Sequence, residues 1–511
     1  MYPFLFPLAF GLAIIYFIAL AVYRLFYHPL SKFPGPRLAA ITDLYSAYYD
    51  LVLDGVLLDH LEHLHRTYGP VVRISPEQVG VAAILNALLK LVQLHFNDPD
   101  AFNHIYSTGS KFTKLQDFYD AFNEKQSSFG YIDVKKAKQR KDVMRPLFSR
   151  RAILSLENVI QNTVPLLLQS LPGGKPVNLH LGYLSTSMEI IMSYCFARSC
   201  GAVSTPSFRH PTLVALQSTG RIFSVMQHFP FTALFITKMP MWLARIVSPE
   251  AYAYGRLMRD LTAQIDELLE DPSKLEHADH EIIYHHLLTP KEGQIVPSRQ
   301  SLIDEASVMI FAGSDTIRNA CSLGTFHVLS NPEIHAKLIN ELRDTWPDRD
   351  VKVGLERLEK LPYLTAVIKE SLRLSHGVVT PLPRVVPSDT VIAGKVTPQN
   401  AIVSMGATFM HQNTQIFKEP LRFRPERWLS DERVPGMDDY LVPFSRGPRS
   451  CLGLNLAWAE LYLIFANVFR KVDIEIYNTT IEDFKVMAFF LPKYSGRPLH
   501  VLVKGKRADE P

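Results

Sequence analysis

Ten residues near the C-terminus hold the densest chemistry in the chain: Phe444-Ser445-Arg446-Gly447-Pro448-Arg449-Ser450-Cys451-Leu452-Gly453. They read as a tight loop running into an apolar helix that begins Leu454-Asn455-Leu456-Ala457-Trp458. Gly447 permits a left-handed turn, and Gly453 withholds a side chain where a flat group could approach the backbone. Loop N–H groups and the positive helix end favour an anionic sulfur at Cys451, and Arg449 adds a cation. A thiolate so held suits a metal; a buried structural cysteine is the plain alternative. A second segment, Ala312-Gly313-Ser314-Asp315-Thr316, falls in the middle of a helix expected from Ser301 to Ser330. Ser301 with Asp304 offers a capping box at its start, and Asn331-Pro332 ends it. Ala312 and Thr316 share one helix face, and a small residue followed by glycine leaves a groove for a diatomic ligand. Asp315 and Thr316 put an acid and a hydroxyl at mid-helix, which is costly unless they line a wet cavity. A polar kink, with the hydroxyl bonded back to the preceding turn, is the alternative. A third segment, Glu370-Ser371-Leu372-Arg373, places an acid and a base one turn apart on a helix that includes Leu364 to Leu374.

Together these segments resemble the cytochrome P-450 family. The pattern F-x-x-G-x-R-x-C-x-G is similar to its haem-binding loop. The resemblance implies haem b with Cys451 as the axial iron ligand, bordered by Phe444, Gly453 and Ala312. A thiolate on haem iron pushes electron density toward O–O cleavage. The Ala312-to-Thr316 segment resembles the oxygen-activating helix, which gives Thr316 and Asp315 roles in proton delivery. Phe423-Arg424-Pro425-Glu426-Arg427-Trp428 matches the family's PERF-type segment, with Trp in the Phe position. By resemblance, Glu370, Arg373 and Arg427 form a buried structural triad. Pro381-Leu382-Pro383-Arg384 resembles the strand whose arginine binds a haem propionate, so Arg384 and Arg449 are the expected propionate ligands. The helix preceding Arg145-Pro146-Leu147-Phe148-Ser149 departs from the pattern: the usual aromatic position is Ala137, and Lys141 takes the later basic position, which the resemblance makes a propionate contact. The basic run Lys135, Lys136, Lys138, Arg140 and Lys141 suits either docking of an acidic electron donor or a solvated helix face.

The implied fold is mainly α with small β-sheets, a cytochrome P-450 fold preceded by one N-terminal transmembrane helix. The implied activity is monooxygenation: one oxygen atom of O2 enters an apolar small molecule, with electrons from NADPH through NADPH–cytochrome P-450 reductase. The segments Leu355 to Arg384 and Tyr440 to Glu460 look most like filamentous-fungal members of secondary metabolism, the group containing trichodiene oxygenase. That suggests a terpenoid or polyketide-like substrate. A non-oxygenating reaction (dehydration, isomerisation or coupling) and a non-catalytic haem-binding protein are the alternatives. By the same resemblance, substrate contacts fall at Phe223, Val225, Met226 and Phe229, at Val378 and Val379, and at Phe489 and Phe490. Plain core packing is the competing role for each.

The elements that must position these groups are also legible. Across 511 residues there is no Gly/Ser-rich linker, low-complexity tract or internal repeat, so residues 28–511 read as one catalytic domain. Hydrophobic content of 47% supports a large core, and a net charge of +4 is too weak to argue for nucleic acid. The four cysteines (Cys195, Cys200, Cys321, Cys451) make no disulfide framework, which suits a reducing compartment. The 18 histidines show no zinc spacing. Residues 1–27 read as a membrane anchor: Tyr2 to Tyr23 carries no charge, and Arg24, His28, Lys32 and Arg37 follow it. The positive-inside rule then places the rest of the chain in the cytosol, on the endoplasmic reticulum. Pro34-Gly35-Pro36 stiffens the exit from the bilayer.

One stretch does not fit. Arg73-Ile74-Ser75-Pro76-Glu77-Gln78 reads as a strand entering a turn, and Leu94-His95-Phe96-Asn97-Asp98-Pro99 as its return. The family joins two such strands directly, whereas residues 79–93 intervene as a strongly apolar, helix-forming run. Valine codons begin with GT and one glutamine codon is CAG, so Val79 to Gln93 is compatible with an in-frame retained intron, the favoured reading. A real insertion lying on the membrane is the other.

Overall fold

Side-chain caps set where three of the site-bearing helices begin. The computed structural model describes residues 5–75, 93–237, 239–247, 249–289, 295–429 and 432–506. Helix α1 (Leu5–Val22) continues as a single π turn to Tyr27. The span Phe10–Tyr27 has a mean hydropathy of 1.9 with none of it buried, so it is long and apolar enough to cross a bilayer. Helix α2 (Val134–Met144) is capped by Asp133, whose carboxylate accepts from the Lys136 N–H. Helix α3 (Leu179–Phe196) is capped by Asn178, is buried on every side, and stops at Ala197 in the left-handed region. A helix with no solvent-facing side belongs in a core. It packs along α4 (Arg299–Ser330), the longest helix described. Gly313 is where the two approach: a Cβ there would stand 2.8 Å from Ile191 Cγ1.

The start of α4 corrects one expectation. Its N-cap is Ser298, in extended conformation, with its hydroxyl accepting from the Ser301 N–H. Ser301 and Asp304 instead bind the neighbouring loop, through the Gln126 carbonyl at 2.6 Å and the Gln126 N–H at 2.9 Å. The helix ends at Asn331-Pro332 as its sequence requires, with Asn331 capping the next helix. Helix α5 (Pro362–Ser375) carries the Glu370/Arg373 pair, and α6 (Leu454–Lys471) follows the cysteine loop.

The sheets are small, as expected. Strands β1 (Val71–Ser75), β2 (Gln93–Phe96), β3 (Thr113–Lys114), β4 (Arg384–Val385) and β5 (Ile402–Ser404) lie in the order β1-β2-β5-β4-β3. β1 and β2 pair antiparallel, with Val71 opposite Phe96 and Ser75 opposite Gln93, so the two strands expected to form a hairpin do pair. Apart from Gln93, the anomalous segment 79–93 lies outside the described residues. β6 (Val486–Phe489) and β7 (Leu491–Tyr494) form a hairpin that turns at Phe490, whose φ is +67°.

Candidate active site

The cysteine loop is held by its own backbone. Ser445 and Gly447 take positive φ, and the Cys451 N–H donates to the Phe444 carbonyl at 2.9 Å. Gly447 admits no side chain, because a Cβ would meet the Tyr106 carbonyl oxygen at 2.4 Å. Lys141, from α2, donates to the carbonyls of Pro448 (3.2 Å) and Ser450 (2.6 Å). Burial pushes the Cys451 thiol up, while the Gly453 N–H and the Lys141 charge pull it back down. Cys451 is nonetheless open to an internal cavity. That cavity, of about 900 Å³, is walled by Phe444, Cys451, Gly453, Leu456 and Ala457 from the loop and α6, and by Ala312, Gly313 and Thr316 from α4. The groove and the sulfur predicted from separate motifs therefore share one chamber.

Its two polar helix groups behave differently. Thr316 lines the cavity, but its hydroxyl donates back to the Ala312 carbonyl at 3.0 Å. Asp315 is buried and does not line the cavity; one carboxylate oxygen lies 3.2 Å from Arg318 Nη1. Burial pushes that carboxyl up and Arg318 draws it down.

Four cations gather at one side. Arg384 is buried on β4 over the Tyr106 and Tyr119 rings, with Nη1 donating to the Tyr119 hydroxyl at 2.7 Å. Arg449 donates to the Ile132 carbonyl, but its Nη1 is buried without a hydrogen-bond partner. Burial and Arg384 pull Arg449 down to about 10. Lys114, on β3, was not anticipated; a lone lysine in a two-residue strand carries no motif. Its ammonium is buried between the Tyr119 and Phe129 rings, and burial, Arg384, Arg449 and Lys141 drive it well below the ordinary lysine value. Among the described residues, none of the four has a carboxylate ion-pair partner. Repelling, largely buried cations with an orphaned guanidinium N–H fit a dianion. A haem, with two propionates, a flat apolar body and an iron for Cys451, suits this wall, and a Cβ at Gly453 would meet nothing within 4 Å.

The triad residues come together beneath the chamber. Arg373 grips Glu370 with Nε (2.9 Å) and Nη2 (2.7 Å), and Arg427 Nε reaches the same carboxylate at 3.0 Å. Trp428, which stands in the family's Phe position, adds its indole N–H at 2.8 Å. All four are buried.

The expected substrate contacts divide. Phe223, Met226, Val378 and Phe490 line the cavity. Val225 and Phe229 are not among its lining residues. Phe489 and Val379 are core residues instead: the Cβ and carbonyl of Phe489 back onto Gly220, and Val379 belongs to the core cluster that holds Val403 and Met405. Polar lining residues that the sequence did not flag include Glu124, which accepts from the Ser307 hydroxyl at 2.8 Å, and Glu460.

Comparison with known proteins agrees with this geometry. The sequence profile of the cytochrome P-450 family matches residues 48–497. A cytochrome P-450 monooxygenase of Penicillium terrestre, macH, is 32% identical over 96% of this chain and 95% of its own length. A tryptophan 6-hydroxylase of Fusarium equiseti, fscE, is 31% identical over 97% of each chain. The crystal structure of the cytochrome P-450 DA haem domain superposes with a TM-score of 0.73 at 15% identity, covering 93% of this chain and 98% of that one. A thiol opening onto an apolar chamber beneath a glycine-grooved helix, matched over nearly its whole length, makes this chain a member of the cytochrome P-450 family of haem-thiolate oxidoreductases.

Proposed function

We propose that the enzyme is a monooxygenase that inserts one oxygen atom of O2 into an apolar small molecule, and that the Cys451 thiolate would hold the iron of haem b. The observation that carries this reading is the shared chamber, with Cys451 and Gly453 on one wall and Ala312, Gly313 and Thr316 on another. Haem, when bound, supplies oxygen activation aided by the electron-rich thiolate. The chain's own residues do the rest. Arg384, Arg449 and Lys114 hold the propionates, and Lys141 fastens the loop that presents the sulfur. Thr316 turns its hydroxyl from the Ala312 carbonyl into the groove to pass a proton, and Asp315, held by Arg318, resupplies it. Phe223, Met226, Val378 and Phe490 exclude water and orient the substrate. The monooxygenase and hydroxylase names of the two fungal relatives support oxygen insertion, and the terpenoid or polyketide-like secondary metabolite proposed as substrate rests on the sequence resemblance.

NADPH–cytochrome P-450 reductase is the proposed electron donor. Residues 1–27 are the proposed anchor in the endoplasmic reticulum membrane, with the catalytic domain, 28–511, facing the cytosol. A further apolar surface supports membrane contact: Leu234, Phe235, Trp242 and Ile246 are exposed on two short helices, and Phe231 just before the first of them. The reduced enzyme with carbon monoxide should show the Soret band of a thiolate-ligated haem, and reductase should support substrate-dependent NADPH use. Cys451→Ala should lose both. Persistence of that band in Cys451→Ala would refute the ligand assignment.

A further inference from the structure

Two acids on the chamber wall belong to none of the roles above: Glu124, in the loop before α2, and Asp304, near the start of α4. On α4, Gln300, Asp304, Val308, Ala312 and Thr316 all line the cavity at spacings of four, so they form one stripe, with Ser307 beside it. The stripe that reaches the groove therefore starts at an acidic end. Ser307 stands about 7.5 Å before Ala312 along the helix axis. The loop that carries Glu124 is fastened to this end of α4. The Gln126 N–H donates to Asp304 at 2.9 Å, and Ser128 donates to Glu305 through its N–H (2.8 Å) and its hydroxyl (2.6 Å). Gly130 lets the loop close, because a Cβ there would collide with the Glu124 carbonyl oxygen. Glu124 is thus a fixed group, and its Oε1 accepts from the Ser307 hydroxyl at 2.8 Å. Glu305 is paired with Arg140 at 3.2 Å, and Lys125, beside Glu124, with Asp120 at 2.9 Å. Among the described residues neither Glu124 nor Asp304 has an ion-pair partner. The cations that line the chamber, Lys114, Lys141 and Arg449, belong to the propionate wall. Burial pushes the Glu124 carboxyl up, Ser307 draws it down and the Asp304 charge pushes it up again, to about 7. A carboxylate so placed is costly until a donor reaches it.

We propose that Glu124 anchors a hydrogen-bond-donating head, O–H or N–H, at one end of an otherwise apolar substrate. This rests on the monooxygenase reading and narrows its substrate class. The head donates to Glu124 while Ser307 holds the carboxylate in place, and the apolar body lies along the α4 stripe toward Ala312 and Thr316. Anchor and groove are a fixed length apart, so the contact selects which carbon faces the groove as well as adding affinity. Phe223, Met226, Val378 and Phe490 supply apolar contact, which by itself does not tell one end of a molecule from the other. Asp304 already accepts from Gln126 and Gln300, and its charge adds to the preference for a donor over an anion. A donor favours the ionised carboxyl, so affinity should fall as pH drops through about 7.

Calorimetric titration of the haem-loaded enzyme with dodecanol, dodecylamine and dodecyl methyl ether tests the anchor. The three share one apolar chain, and the ether has no hydrogen to donate. Dodecanol or dodecylamine should bind on the order of tenfold more tightly than the ether, and Glu124→Leu should remove that difference. Glu124→Gln separates the two heads: its amide oxygen still accepts from a hydroxyl but offers no charge to an ammonium. It should also abolish the loss of affinity below pH of about 7. Both variants should keep the thiolate-type carbon monoxide spectrum, which shows that the fold is intact. Turnover with reductase should place oxygen on a narrow set of dodecanol carbons in the wild type and on a broader set in Glu124→Leu. Equal affinity for the three probes, or an unchanged preference and product pattern in Glu124→Leu, would overturn the proposal. Glu124-dependent binding with no oxidised product from any probe would instead overturn the monooxygenase reading and uphold the anchor.

Discussion

At the scale of single residues, the buried charges here are arranged for a partner the chain does not supply. Arg384, Arg449 and Lys141 raise the cost of ionising Lys114, and Arg384 does the same to Arg449, so haem loss should expose the conflict. Lys114→Met is therefore expected to act with opposite signs: a higher melting midpoint for haem-free protein, and faster haem loss to a competing acceptor. Because the folded pKa of Lys114 lies below its unfolded value, the unfolded chain binds more protons. Stability of the haem-free protein should therefore rise with pH toward the ordinary lysine value, and Lys114→Met should flatten that rise. Melting curves of the two proteins between neutral and alkaline pH check it. Trp428 makes the reverse case, in which a departure from the family pattern adds a bond. Trp428→Phe restores the usual residue yet removes an N–H from the buried Glu370 carboxylate, so it should cost about 1–3 kcal/mol in denaturant unfolding.

At the scale of elements, the β6–β7 hairpin separates wall from core within two residues. Phe490, at the turn, faces the chamber and packs on Phe122 with ring centroids 4.7 Å apart. Phe489 backs onto Gly220. Phe490→Ala should change the product distribution or substrate affinity with little change in the haem spectrum. Phe489→Ala should cost about 3–5 kcal/mol of stability and leave the product distribution as it was. Product profiling of both variants, beside their melting curves, distinguishes them. The α3–α4 crossing is equally demanding. Gly313→Ala places a methyl 2.8 Å from Ile191 Cγ1, and overpacking of that kind costs about 1–3 kcal/mol.

At the scale of the whole molecule, the 79–93 segment decides what the native chain is. Ser75 is paired with Gln93, and Leu94 follows Gln93 into β2. Removing Val79 to Gln93 would put Gln78 directly before Leu94, so a glutamine would again stand opposite Ser75 across a Pro76-Glu77 turn. The register of Arg73 with Leu94 and Val72 with His95 would be unchanged. The shortened protein is therefore expected to fold with at least the yield of the full chain and the same haem spectrum. Complementary DNA joining the Gln78 and Leu94 codons would establish the retained intron. Uniform retention of the segment in transcripts, with activity lost on deletion, would establish a working insertion instead.

The amino-acid sequence by itself determined the family, the cysteine loop, the groove helix and the Glu370/Arg373 pair, because each is short-range chemistry, whereas Arg427 joined the pair by resemblance. Glycine at a fixed turn, a hydroxyl beside an acid, and two charges one helical turn apart are legible wherever they occur. The first turn of α4 departs from its sequence expectation for a related reason: Ser298 and Ser301 are both competent caps, and the Gln126 loop claims Ser301. What only the tertiary structure decided are matters of direction across long sequence separations. Lys114 meets Arg384 through strand pairing, and Glu460 meets Gly313 through Ser187 on a third helix. Adjacent residues such as Val378 and Val379, or Phe489 and Phe490, share one composition, yet backbone geometry sends one to the cavity and its neighbour to the core.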